Sequence, residues 1–210
     1  MKLQESYKSF VTTGRELEKK QEESRGWSFE NMRGRLVELR QVEASAVLTC
    51  AFSLVLEAQQ ALEPIAWIIA GDSFFYPPDV QENGVDLRAL VVVRVHGARN
   101  AGRAADHLIR SGAFGLVILD LGADSFFPRA LQSRLVHGAT QHHAAVICLT
   151  EEDPSQPRAE SLGPLVSLRA AAHGAWKDGQ WECELEVGRD KRRGLGWKNK
   201  EVCRGPIGMR

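Results

Sequence analysis

At 210 residues the chain is long enough to bury a core without disulfide or metal staples, and it fits one domain with small appendages. Lysine plus arginine equals aspartate plus glutamate, 27 of each, so no overall field draws the chain to a polyanion or a membrane surface. The four cysteines lack C-x-x-C spacing, MKLQESYKSF at the amino terminus lacks an apolar leader, and no apolar run reaches membrane-spanning length, which together predict a reducing, cytoplasmic setting.

Residues 1–25 contain GRELEKKQEES, charged on nearly every face, which predicts a helical or flexible arm. Gly26 and Gly34 punctuate the approach to a short apolar strand, LVEL, at 36–39. Residues 44–62 predict a helix that is apolar almost all round and therefore packed on more than one side. IAWIIAGD has strand length, and Pro77-Pro78 in SFFYPPD ends any helix. LVVVRV, 90–95, predicts a buried strand from its β-branched content. NAGRAADHLIRSG predicts a helix with Asn100 as N-cap and Gly112 as C-cap. GLVILDLG is a further buried strand. Pro128 opens a helix that Gly138 is expected to close, and AAVICLT is the next strand.

Continuous apolar strands alternating with helices predict an α/β fold, with a mostly parallel sheet covered by helices on both faces. The period then changes. WECELEV places Trp181, Cys183, Leu185 and Val187 on one face and three glutamates on the other. Asp178-Gly179 pairs it with LVSLRAAA as an antiparallel hairpin. No apolar periodicity follows Val187. The expected division is an arm at 1–25, a core at 26–187 and a basic tail at 188–210.

The junction RQVEASAVLT, 40–49, joins a strand to a buried helix, where nucleotide-binding α/β domains cradle phosphate. Such a cradle needs glycines so that N–H groups converge, a lysine for the outer phosphates, and a hydroxyl for Mg²⁺. Here Ala46, Val47 and Leu48 stand where Gly-Lys-Thr would. Asp120, ending LVILDLG, reads either as an acid holding Mg²⁺ through water or as a hydrogen-bonded strand-end aspartate. His137, His142 and His143 lie close together without a recognised metal spacing, and fit a surface loop between helix and strand. No nucleophile signature appears, so no catalytic set, metal or cofactor is expected.

The positive signal lies in GRDKRRGLGWKNKEVCRG. Residues 188–210 hold eight Lys/Arg against Asp190 and Glu201. Arg189, Lys191, Arg192, Arg193, Lys198 and Lys200 suit phosphate contacts, with Trp197 available to stack on a base. The alternatives are a solvated tail or a subunit-docking arm.

In order along the chain, GRLVEL, LEPIAWIIAGDSFFYPPDVQENGVDL, RAADHLIRSGAFGLVILDLG and SLRAAAHGAWKDGQWECELEVGRDKRRG resemble the RecA recombinase core over about residues 25–194. In this likeness Glu43 and Ser45 match the phosphate loop's Glu and Ser. Gln41 and Ala46 replace its glycines, and Val47 replaces its lysine. Gly71 stands where the family keeps a catalytic glutamate, with Asp72 adjacent, and Asp120 keeps the Mg²⁺ acid. The family's second DNA-binding loop shrinks to EEDPSQPRAESLGP, acidic and proline-bearing. A degenerate relative of this length resembles the ImuA type. That likeness implies a non-catalytic pseudo-ATPase adaptor of the SOS response and translesion mutagenesis. Its implied partners are RecA, or a Y-family-like polymerase homologue with a replicative-type polymerase. SulA-type cell division inhibitors, which bind the division GTPase, are a more distant likeness. A nucleic-acid-binding module working through the basic tail is the other alternative.

Overall fold

The computed structural model describes residues 26–42, 46–71, 81, 84–122, 126, 128–151, 162–178, 180–194 and 196–203. The 1–25 arm, Asp72, the SFFYPPD segment and most of EEDPSQPRAESLGP lie outside them.

A short helix α1 (Phe29–Met32) leads into β1 (Arg35–Gln41). Helix α2 (Val47–Gln60) and β2 (Ile65–Ala70) follow, then a 3₁₀ turn (Leu87–Ala89) and β3 (Leu90–Val95). Next come α3 (Ala98–Arg110), β4 (Leu116–Gly122), α4 (Arg129–His142) and β5 (Ala145–Glu151). A 3₁₀ turn (Gly163–Leu165) precedes β6 (Leu168–Lys177), β7 (Gln180–Asp190) and β8 (Lys198–Cys203). They form one eight-stranded sheet in the order β3-β2-β4-β5-β1-β6-β7-β8. Strands β1 to β6 pair in parallel, and β6, β7 and β8 pair antiparallel. The α/β fold expected from the alternating apolar strands and helices is the one found.

The apolar strands explain the two-sided cover. Val37 and Leu39 of β1, Trp67 of β2, Ile118 of β4 and Ile147 of β5 pack under α1 and α2. Leu36, Ile68, Val117, Leu119 and Val146 pack under α3 and α4 on the opposite face. A strand buried on both sides has few positions for polar groups, which is why these segments read as mostly apolar runs. Trp67 illustrates the packing, with its ring stacked on Phe52 of α2 at 4.6 Å between centroids.

Several sequence expectations are corrected. LVVVRV is the sheet's edge strand and not a buried one, with Val91 and Val92 47% and 39% exposed. β-Branched content marks a strand but not its place in the sheet. Helix α2 buries one stripe, Val47, Cys50, Ala51, Leu54, Val55 and Ala58, while Leu48 is half exposed. Helix α3 is capped by Gly97 at φ 75°, so Asn100 falls inside the first turn and donates to the His96 carbonyl. Gly138 does not close α4. A Cβ there would meet Ile109 Cγ2 at 2.8 Å, so the glycine serves close approach of α3 and α4. The helix runs on to His142 and ends on His143 in the left-handed region. His137 and His142 therefore lie on α4 and not in a loop. Finally, residues 188–203 are part of the sheet: β7 continues to Asp190, and β8 follows after a turn.

Candidate functional site

The carboxyl ends of the parallel strands line one edge of the sheet, where such sheets bind ligands, and β1 gives way to α2 at this edge. Glu43 and Ser45 lie outside the described residues. The start of α2 is described, and its environment is closed. Ala46, the N-cap residue, has no side-chain hydrogen bond to offer, and its own N–H is 3.3 Å from the Ala172 carbonyl of β6. Ala46 is 1% and Val47 4% exposed, both within the apolar cluster beneath α2. The side chain at the lysine position thus serves the core. An ammonium directed the same way would lose its hydration without a partner, at a cost of several kcal/mol or a collapsed charge.

Two further residues singled out in the sequence lie at the neighbouring strand ends. Gly71 follows β2 at φ 89° and donates its N–H to the Val95 carbonyl. Asp120 is buried on β4, level with Ile69 of β2 and Leu149 of β5. Among the described residues no group of three or more His, Cys, Asp and Glu is placed to hold a metal ion.

Deeper under the same edge lies a polar cluster that the sequence reading missed. Glu38 of β1 is fully buried and level with Cys148 of β5 and Arg169 of β6. It accepts from Arg169 Nε at 2.5 Å and from Thr150 Oγ1 at 3.3 Å, while Arg169 Nη2 donates to the Gly163 carbonyl at 3.1 Å. One carboxylate thereby joins three adjacent strands. Burial first, and then the Glu38 charge, push the Cys148 thiol well above its ordinary range, so it stays protonated and unreactive. A glutamate at an inward position of an otherwise apolar strand was the available signal.

The basic segment is organised around Asp190. Its Oδ1 accepts from Arg35 Nη2 at 2.5 Å and from the Arg192 N–H at 2.9 Å, and its Oδ2 accepts from Trp197 Nε1 at 3.1 Å. The Asp190 carbonyl accepts from the Gly194 N–H at 2.8 Å. Burial alone would raise the Asp190 pKa. The Arg192 N–H, the Arg35 guanidinium and the Trp197 indole outweigh it and hold the carboxyl below its usual range. Burial lowers the Arg35 pKa as well, but from so high a starting value that the guanidinium keeps its proton.

The expected tail residues are thereby assigned places. Arg192 reaches the carbonyls of Arg33 and Asn31, and Lys191 Nζ reaches that of Pro164 at 2.7 Å. Lys198 and Lys200 pair with Glu184, and Lys198 also with Glu186, across the β7–β8 ladder. Trp197 packs over Gly26, with the Arg193 guanidinium 5.9 Å from its ring centroid. Arg189 stands opposite Arg169 in the β6–β7 pair. The cluster is a folded element in which most of the cations have internal partners, not a free polycationic tail.

These features define an α/β domain built like a nucleotide-binding fold, with a closed helix start at the phosphate position. The family model for the RecA N-terminal domain matches residues 28–142, more than half of the sequence, and the chain belongs to that family. It is similar to the protein RecA of Nocardioides sp., 40% identical over 99 residues, which are 47% of this chain and 27% of that protein. It is similar also to the RecA of Mycobacterium leprae, 37% identical over 98 residues, 47% of this chain and 14% of that one. With the RecA of Chlorobium limicola it shares 33% identity over 88 residues, 42% of this chain and 25% of the other. The chain thus spans about a quarter, or less, of the length of these relatives.

Proposed function

We propose that this chain is a RecA-fold protein that does not hydrolyse ATP and works by docking on partners. The observation that carries the reading is the start of α2. Val47 is packed into the core where a phosphate-binding lysine would stand, and the Ala46 N–H is directed at a β6 carbonyl. A phosphoryl-transfer site depends on positioning and charge stabilisation, and this junction offers neither the lysine nor the glycines. The fold belongs to the RecA N-terminal domain family, which suits mimicry: a subunit-like surface engages RecA, or the polymerase partners of damage-induced mutagenesis, and changes their assembly. Within this reading Glu43, Ser45 and Asp120 are remnants of a site that no longer turns over.

The test uses purified RecA and single-stranded DNA. Addition of the full chain is expected to change RecA's ATP turnover and filament length, with direct binding seen by light scattering. Binding to a purified Y-family-like polymerase homologue is the second arm. Binding to neither, with turnover of ATP by the chain alone, overturns the proposal. Binding to the division GTPase alone would favour the inhibitor likeness instead.

The second reading, nucleic-acid binding through residues 188–203, loses support from the internal pairing of Lys198, Lys200, Arg192 and Trp197. A contact there would have to compete with these partners.

A further inference from the structure

The chain carries no net charge, yet its charges are segregated on the layer formed by α3 and α4. These two helices contain five arginines and no glutamate. Their single aspartate, Asp106, is 3% exposed. Arg99, Arg103 and Arg110 recur at helical spacing and fall within an arc of about 40° along about 16 Å of the α3 axis. From α4, Arg134 joins them, its Nη2 3.0 Å from Asp106 Oδ2, which Arg110 approaches at 3.9 Å. One buried carboxylate therefore orients two guanidiniums. The Arg99 and Arg103 side chains are exposed and, among the described residues, take part in no ion pair or hydrogen bond. Four guanidiniums against one carboxylate leave three positive charges uncompensated on one ridge.

We propose that this α3–α4 ridge is a binding surface for the phosphate backbone of nucleic acid, recognised without regard to sequence. Charge of one sign at regular spacing fits a regularly charged polymer. Other polar side chains exposed on the two helices, among them Asn100, Ser133 and Gln141, add neutral hydrogen-bonding groups. No aromatic or large aliphatic side chain is exposed on either helix. A protein partner of useful affinity is generally anchored by such groups, whereas backbone contacts to nucleic acid do not need them. The ridge lies on the opposite face of the sheet from α2, away from the closed strand–helix junction, and does not involve the β7–β8 element. The proposal stands or falls independently of the adaptor reading.

The experiment is fluorescence anisotropy with a short labelled DNA duplex and the full chain, between about 50 and 200 mM salt. The expected slope of log affinity against log salt is about −3 to −4, for about four phosphates neutralised at ~0.9 each. Arg99→Ala/Arg103→Ala removes two unpartnered surface charges. It should leave the circular dichroism and melting curve unchanged while reducing the slope by about two. Lys198→Ala/Lys200→Ala should leave the slope unchanged. Absence of binding at low salt overturns the proposal, as does a loss caused by the lysine pair and not by the arginine pair. Poly-glutamate bound as tightly as the duplex at equal salt would also overturn it, since the ridge would then fit an acidic protein segment.

Discussion

Asp190→Asn removes one charge from the hub that ties the start of β1 to the end of β7. The Asp190 side chain is 0% and that of Arg35 3% exposed, so the ion pair is held out of water. Breaking such a pair from one side leaves a buried guanidinium uncompensated, which costs about 3–5 kcal/mol. The amide NH2 would also face a donor whichever way the side chain turns, Trp197 Nε1 in one orientation, or Arg35 Nη2 and the Arg192 N–H in the other. Against a typical domain stability of about 5–15 kcal/mol, this is a large fraction. Equilibrium urea unfolding followed by tryptophan fluorescence reads it, with a midpoint shift of about 1–2 M. Trp197 should report early, because its indole bond to Asp190 goes with the substitution. The companion variant is Arg35→Met/Asp190→Leu, which removes both charges. It should recover most of the loss and be more stable than either single substitution, because no buried charge is left unpaired. The reasoning fails if Asp190→Asn lies within about 1 kcal/mol of the parent, or if the two single losses simply add.

The same hub sets an acid dependence. Its carboxyl is held below the ordinary value of 3.8, so its contribution is complete above that value and is lost as pH falls through the lower folded-state value. Thermal melts below pH 3.8 should show a steeper loss for the parent than for Asp190→Asn. Val47→Lys should bring no heat of Mg-ATP binding in calorimetry and should lower the melting temperature, since it places an ammonium in the apolar cluster beneath α2. Saturable binding would mean that the junction is closer to a live site than its packing indicates. Gly138→Ala places a Cβ against Ile109 and should cost about 1–3 kcal/mol in denaturant unfolding. Ile109→Ala in the same chain should relieve part of that cost, and simple addition of the two losses would refute the helix-crossing role.

Much of the fold was legible because two-sided burial leaves a mark on sequence. Runs such as LVIL and AVICL cannot hide: Leu116–Leu119 and Ala145–Leu149 are apolar at every position because helices cover both faces. The hairpin at Asp178 was equally plain from the switch to alternation. The character of the junction at 46–48 was legible for a different reason. A phosphate cradle demands glycine and lysine, and Ala46, Val47 and Leu48 supply neither, which is visible without coordinates.

What the linear pattern could not carry was pairing between distant residues and rank within the sheet. LVVVRV looks buried, yet it lies at the edge because nothing pairs on its far side among the described residues. KNKEVC has no apolar rhythm, but it forms β8 because β7 offers a free edge and its glutamates meet Lys198 and Lys200. Asp190 appeared to be a stray acid in a basic run, until folding placed it against Arg35, 155 residues away in the chain. The cations at 189–200 looked free because their partners are distant in sequence or are backbone carbonyls. The arginines of α3 and α4 looked ordinary because their alignment depends on helical phase and on two helices lying side by side. Charge sums along a sequence, but a field is made in space, and only the packing of α3 against α4 brings Arg99, Arg103, Arg110 and Arg134 onto one ridge.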